Sequence, residues 1–343
     1  MVHAGFVGGG NITETHIRAA LAIPDVRIGA ISGSNQKKVD ALSGKYGGVA
    51  YTDFNRFLSH RPMDLVIIGS PSGLHAEQGI RAAQQGLHVL VEKPIDVSTG
   101  RTDALIAATK RASVRLGVIV QDRLKPDILK LKQWIDSGKL GRPILVEASV
   151  KWYRPPGYYS GSKWRGALAL DGGGALMNQG IHTVDLLTYL LGDIARVQAA
   201  TATSLHNIES EDTCVATLEF ANGALGVLHA TTAAYPGYPR SVEITGSEGT
   251  VRLEQDRIVR ADLRSQALDL NQSEAVDGNA SANSPVVSDV RGHQRIIENF
   301  IQSIQTGRAP VCDGEQGRRT LAVVEAMYRC ARARNNDAAL CIR

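Results

Sequence analysis

The sequence predicts an α/β chain in two parts: an N-terminal doubly wound parallel sheet of the Rossmann type, then a C-terminal α+β domain with a large, mainly antiparallel open sheet. Three observations predict it. Short apolar strand patterns alternate with helical patterns through residues 2–120, which builds a parallel sheet with helices on both faces. The first strand runs into Gly8-Gly9-Gly10 and then a helix. From Arg196 onward the pattern turns β-rich, with Asn222-Gly223 as a hairpin signal between two strands. The expected division is 1–122 for dinucleotide binding and 123–343 for substrate binding and oligomerisation, with the closing helices packing back toward the domain interface.

A length of 343 residues, 43% hydrophobic and 21% charged, suits a globular chain with two cores. The formal charge of +4 comes with no long basic run interleaved with aromatics, so nucleic acid is not an expected partner; a small anionic cofactor or substrate is compatible. Cys214, Cys312, Cys330 and Cys341 show no CxxC spacing and no disulfide framework, which argues against structural zinc, and no metal is expected. No basic leader precedes the first strand and no apolar run reaches the ~18 residues of a membrane span. A cytoplasmic protein without a membrane partner is expected.

The first part reads in order as follows. Residues 2–8 form a buried strand, and a helix covers residues 12–22, starting at Ile12. Gly8 permits the tight turn, and Gly10 lets backbone approach a pyrophosphate whose charge meets the helix N-terminus; Thr13 stands where a third glycine is usual. The second strand, residues 26–31, ends where an acid normally holds the adenosine ribose of NAD. Here the residues are Ser32-Gly33-Ser34-Asn35, with Lys37 and Lys38 beyond, so hydroxyls and a lysine could accept a 2′-phosphate. That tilts the cofactor from NAD toward NADP. The strand at residues 64–69 leads into Ser70-Pro71-Ser72-Gly73-Leu74-His75, where His75 caps the next helix or touches a ligand. Val89-Leu90-Val91 then stops at Glu92-Lys93-Pro94, which places the Lys93 amine at the carboxyl edge of the sheet, where ligands bind in such folds. The strand at residues 116–120 closes at Gln121-Asp122-Arg123.

In the second part, a helix after Pro126 and a strand at residues 144–151 precede Trp152-Tyr153-Arg154-Pro155-Pro156-Gly157-Tyr158-Tyr159 and Lys163-Trp164-Arg165-Gly166. Aromatic faces and guanidinium forks suit a sugar or a carboxylated ligand, and equally suit anchoring a long loop. Asp171-Gly172-Gly173-Gly174 introduces a helix over residues 175–191. On it Asn178 and His182, spaced i, i+4, share a face, with Asp185 one turn further on. Strands are expected at residues 197–203, 213–220, 224–232, 241–245 and 250–253, a loop at residues 267–287, and two closing helices at residues 292–306 and 315–334.

Taken together, Gly8-Gly9-Gly10-Asn11 with His16, Ser70-Pro71 with His75, Glu92-Lys93-Pro94, Gln121 with Arg123, and the glycine-rich segment leading to His182 and Asp185 resemble the Gfo/Idh/MocA family of NAD(P)-dependent oxidoreductases over nearly the whole chain. The resemblance implies catalytic roles for Lys93 and His182. It implies cofactor contacts from Gly8, Gly10, Asn11, Ile12, Ser32, Ser34, Lys37, Ser70, Pro71, His75, Glu92, Lys93 and Gln121. Substrate contacts are assigned to Asn178, Arg123, Arg154, Tyr159, Trp164, Arg165 and Asp185. Many inositol-type members carry Asp four residues before the histidine, where this chain has Asn178. The string from Lys151 to His182 is similar to the subgroup acting on C3 of sugar rings, which includes nucleotide-linked N-acetylglucosaminuronate dehydrogenases. The implied reaction is hydride transfer between nicotinamide and a ring hydroxyl of a sugar, glycoside, inositol or nucleotide sugar, with either Lys93 or His182 as base. A glycosidase that recycles NAD internally and a non-catalytic NAD(P)-binding regulator are the alternatives. The family habit implies a homodimer or homotetramer formed through the C-terminal sheet.

Overall fold

The computed structural model describes residues 1–162, 164–264, 266–267 and 289–336. The expected loop at 267–287 therefore lies almost wholly outside the described residues. Two compact units emerge, the first comprising Met1–Gln121, Ala169–Gly172 and Val286–Leu321, the second Asp122–Leu168, Gly173–Pro285 and Ala322–Arg343. Two segments late in the chain thus belong to the first unit. One cause is visible at Gly117: Phe300 packs against it so closely that an added Cβ would lie 2.6 Å from the ring.

In the first unit, strands β1 (Val2–Val7), β2 (Val26–Ser32), β3 (Val49–Tyr51), β4 (Leu65–Ile68), β5 (His88–Glu92) and β6 (Leu116–Ile119) form one parallel sheet in the order β3-β2-β1-β4-β5-β6. Every residue of β4 and β6 is buried, as a sheet covered on both faces requires. The helices between them are α1 (Asn11–Leu21), α2 (Gln36–Tyr46), α3 (Phe54–Leu58), α4 (His75–Gln84) and α5 (Thr99–Arg111). Asn35 and Ser98 start α2 and α5 by accepting backbone N–H groups, whereas α1 starts at an extended Gly10 with no side-chain cap. The strand order reverses between β1 and β4, and the crevice at their carboxyl ends is where ligands bind in doubly wound sheets.

The second unit begins with α6 (Pro126–Asp136), its first turn opened by a proline that needs no donor there. Its eight-stranded sheet contains β7 (Pro143–Lys151), β8 (Ile194–Ala202), β9 (Thr213–Phe220), β10 (Leu225–Thr231), β11 (Ser241–Gly246), β12 (Gly249–Glu254), β13 (Arg257–Leu263) and β14 (Gln266–Ala267), in the order β14-β13-β12-β11-β7-β10-β9-β8. All pairings are antiparallel except β7 with β10. β9 alternates buried and exposed residues along its length, so one face is core and the other is open. Sequence reasoning missed β13. Its turn is Gln255-Asp256, both left-handed at φ 47° and 65°, with no glycine to announce it, and the charged Arg257, Arg260 and Asp262 disguise the strand period. A short helix α7 (Pro156–Ser160) interrupts the aromatic segment, and α8 (Ile181–Leu191) follows a π-helical turn at Leu176–Gly180. The two closing helices are Arg291–Thr306 and Gly314–Asn336.

Candidate active site

The glycine turn after β1 is built as a dinucleotide cradle requires. Gly8 has φ +128°, and an added Cβ would lie 2.3 Å from Thr13 Oγ1, so the bulk of Thr13 at the third motif position is accommodated by the missing side chain at Gly8. At Gly10 an added Cβ would meet nothing within 4 Å, which leaves the uncapped start of α1 open to a phosphate. Asn11 is exposed and Ile12 half-buried beside it. Ser32 is buried at the end of β2, while Ser34 and Lys37 are exposed. Lys38, not Lys37, lies against the turn: a Cβ on Gly9 would be 3.3 Å from Lys38 Cβ.

Lys93 follows β5 directly and is half-buried. Its backbone N–H donates to Glu92 Oε2 at 2.9 Å, and Glu92 Oε1 accepts from His16 Nε2 at 2.9 Å. His293, which sequence reasoning missed, brings its Nε2 within 3.7 Å of the same oxygen. Burial would raise the Glu92 carboxyl, but the two imidazoles hold it well below the usual carboxylate range. Glu92 is thus a buried bracket for Lys93, and nothing in its bonding leaves it turned toward a cofactor. These three side chains are the one group among the described residues whose donor atoms lie close enough to share a metal ion. The Nδ1 atoms of both rings lack hydrogen-bond partners, whereas metal-bound imidazoles are steered through that second nitrogen, so a hydrogen-bonded clamp fits the arrangement better.

His75 is likewise consumed by its own unit. Its Nδ1 lies 2.8 Å from Pro94 O and its Nε2 2.9 Å from Ser70 O, so the ring is wedged between the Ser70-Pro71 turn and the segment after Lys93, and its one N–H donates to one of the two carbonyls. The expectation of a direct cofactor contact therefore gives way to a brace. Ser70 Oγ donates to Gln78 at 2.6 Å, and Pro71 is half-buried beside it. Gln121 keeps a buried Oε1 with no hydrogen-bond partner, an acceptor suited to a ligand N–H.

In the second unit, every residue from Gly173 to Thr188 is buried except Asn178 and His182. The shared face expected from their spacing is thus the open one. His182 Nδ1 lies 3.7 Å from Asp122 Oδ2, so a carboxylate does accompany the histidine, supplied from outside the helix. Asp122 also accepts from Arg240 at 2.8 Å and pairs with Lys125 at 2.6 Å, and both cations pair with Asp256. Burial would raise the Asp122 carboxyl; Arg240, Lys125 and His182 hold it well below its ordinary value. Sequence reasoning passed over Asp122 although it stands between Gln121 and Arg123. No local signal connects it to Arg240 and Asp256.

Two assigned substrate residues are redirected. Arg123 and Asp185 form a fork of two hydrogen bonds, 2.8 and 2.7 Å, with both side chains only 4% exposed. A substrate group cannot use a fork already closed on a buried carboxylate. In the aromatic segment, the Arg154 guanidinium lies over the Trp152 and Tyr158 rings at 5.2 and 5.6 Å, and Arg165 lies over Tyr158 and Trp164 at 4.2 and 5.4 Å. Tyr159 is buried, its hydroxyl 2.9 Å from Thr232 Oγ1. Arg154 is buried in the stack, while Tyr159 and Arg165, with His206 and Glu209, line a hollow of about 530 Å³.

A glycine cradle at a helix start, a reversed strand order beside it and a lysine at the sheet edge define a dinucleotide-binding protein with a second, α+β unit. Residues 2–120 match the oxidoreductase family with an NAD-binding Rossmann fold, and residues 128–252 match the GFO/IDH/MocA C-terminal domain. The chain belongs to the Gfo/Idh/MocA family and is an NAD(P)-dependent oxidoreductase. It is similar to the WlbA dehydrogenase from Bordetella pertussis, solved with NADH and UDP-GlcNAcA: 33% identity, TM-score 0.88, 97% of each chain. It is also 26% identical over 327 residues to the myo-inositol 2-dehydrogenase of Thermotoga maritima, covering 92% of each chain. The uncharacterized oxidoreductase YrbE of Bacillus subtilis is 29% identical over 259 residues, 74% of each. No helix among the described residues is long and apolar enough to cross a membrane.

Proposed function

We propose that this protein moves a hydride reversibly between nicotinamide and a ring carbinol carbon of a pyranose-type sugar, with C3 of a nucleotide-linked sugar the favoured position. The observation that carries this reading is the pair Asn178 and His182, the two residues between Gly173 and Thr188 that are not buried, in a chain 33% identical to a dehydrogenase solved with NADH and UDP-GlcNAcA. The nicotinamide supplies the hydride chemistry when bound. Gly8, Gly10, Asn11, Ile12, Ser32, Ser34, Ser70, Pro71 and Gln121 hold the dinucleotide, and the first unit is the cofactor unit. The second unit takes the sugar. Asn178 orients the reacting hydroxyl without titrating. His182 accepts its proton, and the anionic Asp122 beside Nδ1 stabilises the charge the ring acquires. Lys93 stabilises the developing alkoxide as a cation, or takes the proton itself if it is neutral. The hollow beside Tyr159 and Arg165 receives the part of the substrate remote from the reacting carbon. Arg123, Asp185, His75 and Glu92 are supporting residues in this scheme.

Lys38 over the glycine turn and the lack of an acid after β2 favour NADP over NAD. The open face of the second sheet carries Leu145, Val215, Leu225 and Val227, each more than 40% exposed, and this face pairs two copies of the chain. A monomer in sedimentation velocity would contradict that pairing. The test of the reaction is nicotinamide absorbance with NAD and NADP against nucleotide sugars, glycosides and inositols. Reduction of cofactor by a nucleotide sugar supports the reading; reduction only by an inositol, or by none of them, rejects it.

A further inference from the structure

We propose that Glu211 and Tyr328 act as a positioning pair that holds Asn178 and His182 in working register, an inference that rests on the substrate-facing role given to those residues above. A helical run begins with four backbone N–H groups that no preceding turn can satisfy. Here all four are met by these two residues. The N–H of Gly174 donates to Glu211 Oε2 at 3.1 Å, that of Ala175 to the Glu211 backbone carbonyl at 3.0 Å, and that of Leu176 to Glu211 Oε1 at 2.8 Å. The N–H of Met177 donates to the Tyr328 hydroxyl at 3.2 Å, and that hydroxyl donates to Glu211 Oε1 at 2.9 Å. Asn178 is the first residue whose N–H bonds back within the run, to Gly174 O at 2.9 Å.

The closeness of the cap accounts for two of the preceding glycines. A Cβ on Gly173 would lie 2.1 Å from the Tyr328 hydroxyl, and one on Gly174 would lie 1.7 Å from the Glu211 carbonyl. Gly173 and Gly174, read from sequence as part of an approach to ligand, are the imprint of this contact. Register matters because a one-residue slip rotates a helix by about 100°. Asn178 and His182 would then leave the open face. The π-helical turn, closed by Ile181 N–H donating to Leu176 O five residues back, lies between the cap and His182 and has to be held against relaxing into an ordinary turn.

A buried carboxylate is an expensive cap, since a serine or aspartate at the helix start would serve for stability alone. Burial pushes the Glu211 carboxyl up to about 7 against the hydrogen bonds from Leu176, Tyr328 and Gly174. The ionisable groups facing it are Tyr328, pushed well above its ordinary value by burial and by Glu211, and Cys214 on β9, pushed up to about 12 by burial and then by Glu211. Only the carboxylate form can accept from all three donors at once. Protonation surrenders one of them.

The test compares wild type with Tyr328→Phe and Glu211→Gln in the full chain, using UDP-GlcNAcA with NAD and NADP, alongside amide hydrogen exchange of residues 174–177. Tyr328→Phe is expected to lower kcat roughly tenfold with the KM for the cofactor within about twofold, as loss of one buried hydrogen bond implies. The acid limb of its kcat/KM profile moves to higher pH, because Glu211 loses a donor that stabilises its anion, and the Met177 amide exchanges faster. Glu211→Gln, which sets an amide donor against a backbone donor, flattens that limb and lowers kcat further. Faster exchange with unchanged kcat and an unmoved acid limb would leave a structural cap and overturn the positioning role. Unchanged exchange in both variants would overturn the cap itself. A wild-type enzyme inert toward the sugar overturns the substrate-facing reading, and the positioning role with it, whatever the exchange shows.

Discussion

His16 Nε2 donates to Glu92 Oε1 across 2.9 Å inside the first unit, one residue before Lys93, and the other oxygen of Glu92 holds the Lys93 backbone N–H. The Glu-Lys pair of the motif therefore divides its work, the acid facing inward as a bracket and the lysine left at the sheet edge. Glu92→Ala would strand two imidazoles in the core. A loss of about 3 kcal/mol is expected, in the range for removing one partner of a buried charged cluster, read as a lower denaturant midpoint together with lower kcat. A variant of wild-type stability would remove Glu92 from this role.

Acid should destabilise the first unit before it destroys any carboxylate pair. Burial lowers the pKa of His16 and of His75, so below about pH 6.5 the unfolded chain binds more protons than the folded one. Their contribution is present above that pH and lost as pH falls below it. Glu211 has the opposite sign: raised to about 7, it favours the folded state by on the order of 3 kcal/mol below its unfolded value, an advantage lost as pH rises through 7. Melting temperatures at pH 5.5 and 8 should therefore fall less on acidification for His75→Asn than for wild type, and more for Glu211→Gln. The reverse ordering would contradict these assignments.

Arg123 and Asp185 bind each other, so substitution should act on folding. Asp185→Ala leaves a buried guanidinium without its fork and is expected to destabilise by about 3 to 5 kcal/mol. Arg123→Lys keeps the charge but loses the second hydrogen bond. The corresponding measurement is KM for the sugar in whatever folded fraction remains. An unchanged KM fits a structural pair, and a large rise in KM at normal stability would return Arg123 to the substrate.

The proposed preference for NADP is tested at Lys38. Charge reversal in Lys38→Glu should weaken NADP by roughly tenfold or more relative to NAD, the size of a single close charge contact. Steady-state KM values for the two cofactors decide it, and equal effects on both would place the lysine away from the 2′-phosphate.

Much of the fold was legible because its elements are locally encoded. The Rossmann half follows from strand and helix periods punctuated by Gly8, Asn35 and Ser98, and the β9–β10 hairpin from Asn222-Gly223. β13 was hidden because its turn uses Gln255-Asp256 without a glycine. Within the candidate site, contiguous motifs single out residues, but which of them are bonded to partners distant in sequence was not legible. Arg123, Asp185, His75 and Glu92 all stand in motifs, and each proved to be engaged by partners distant in sequence. Asp122 with Arg240 and Asp256, His293 with Glu92, and Glu211 with Tyr328 are long-range pairings that no local spacing announces.

The most direct measurement follows the hydride itself. UDP-GlcNAcA deuterated at C3 is incubated with the enzyme and oxidised cofactor, and the reduced cofactor is recovered for mass spectrometry. One deuterium is expected on the nicotinamide ring, and none when Lys93→Ala replaces the wild type. Reduced cofactor without label, or label transferred undiminished by the Lys93→Ala enzyme, would contradict it.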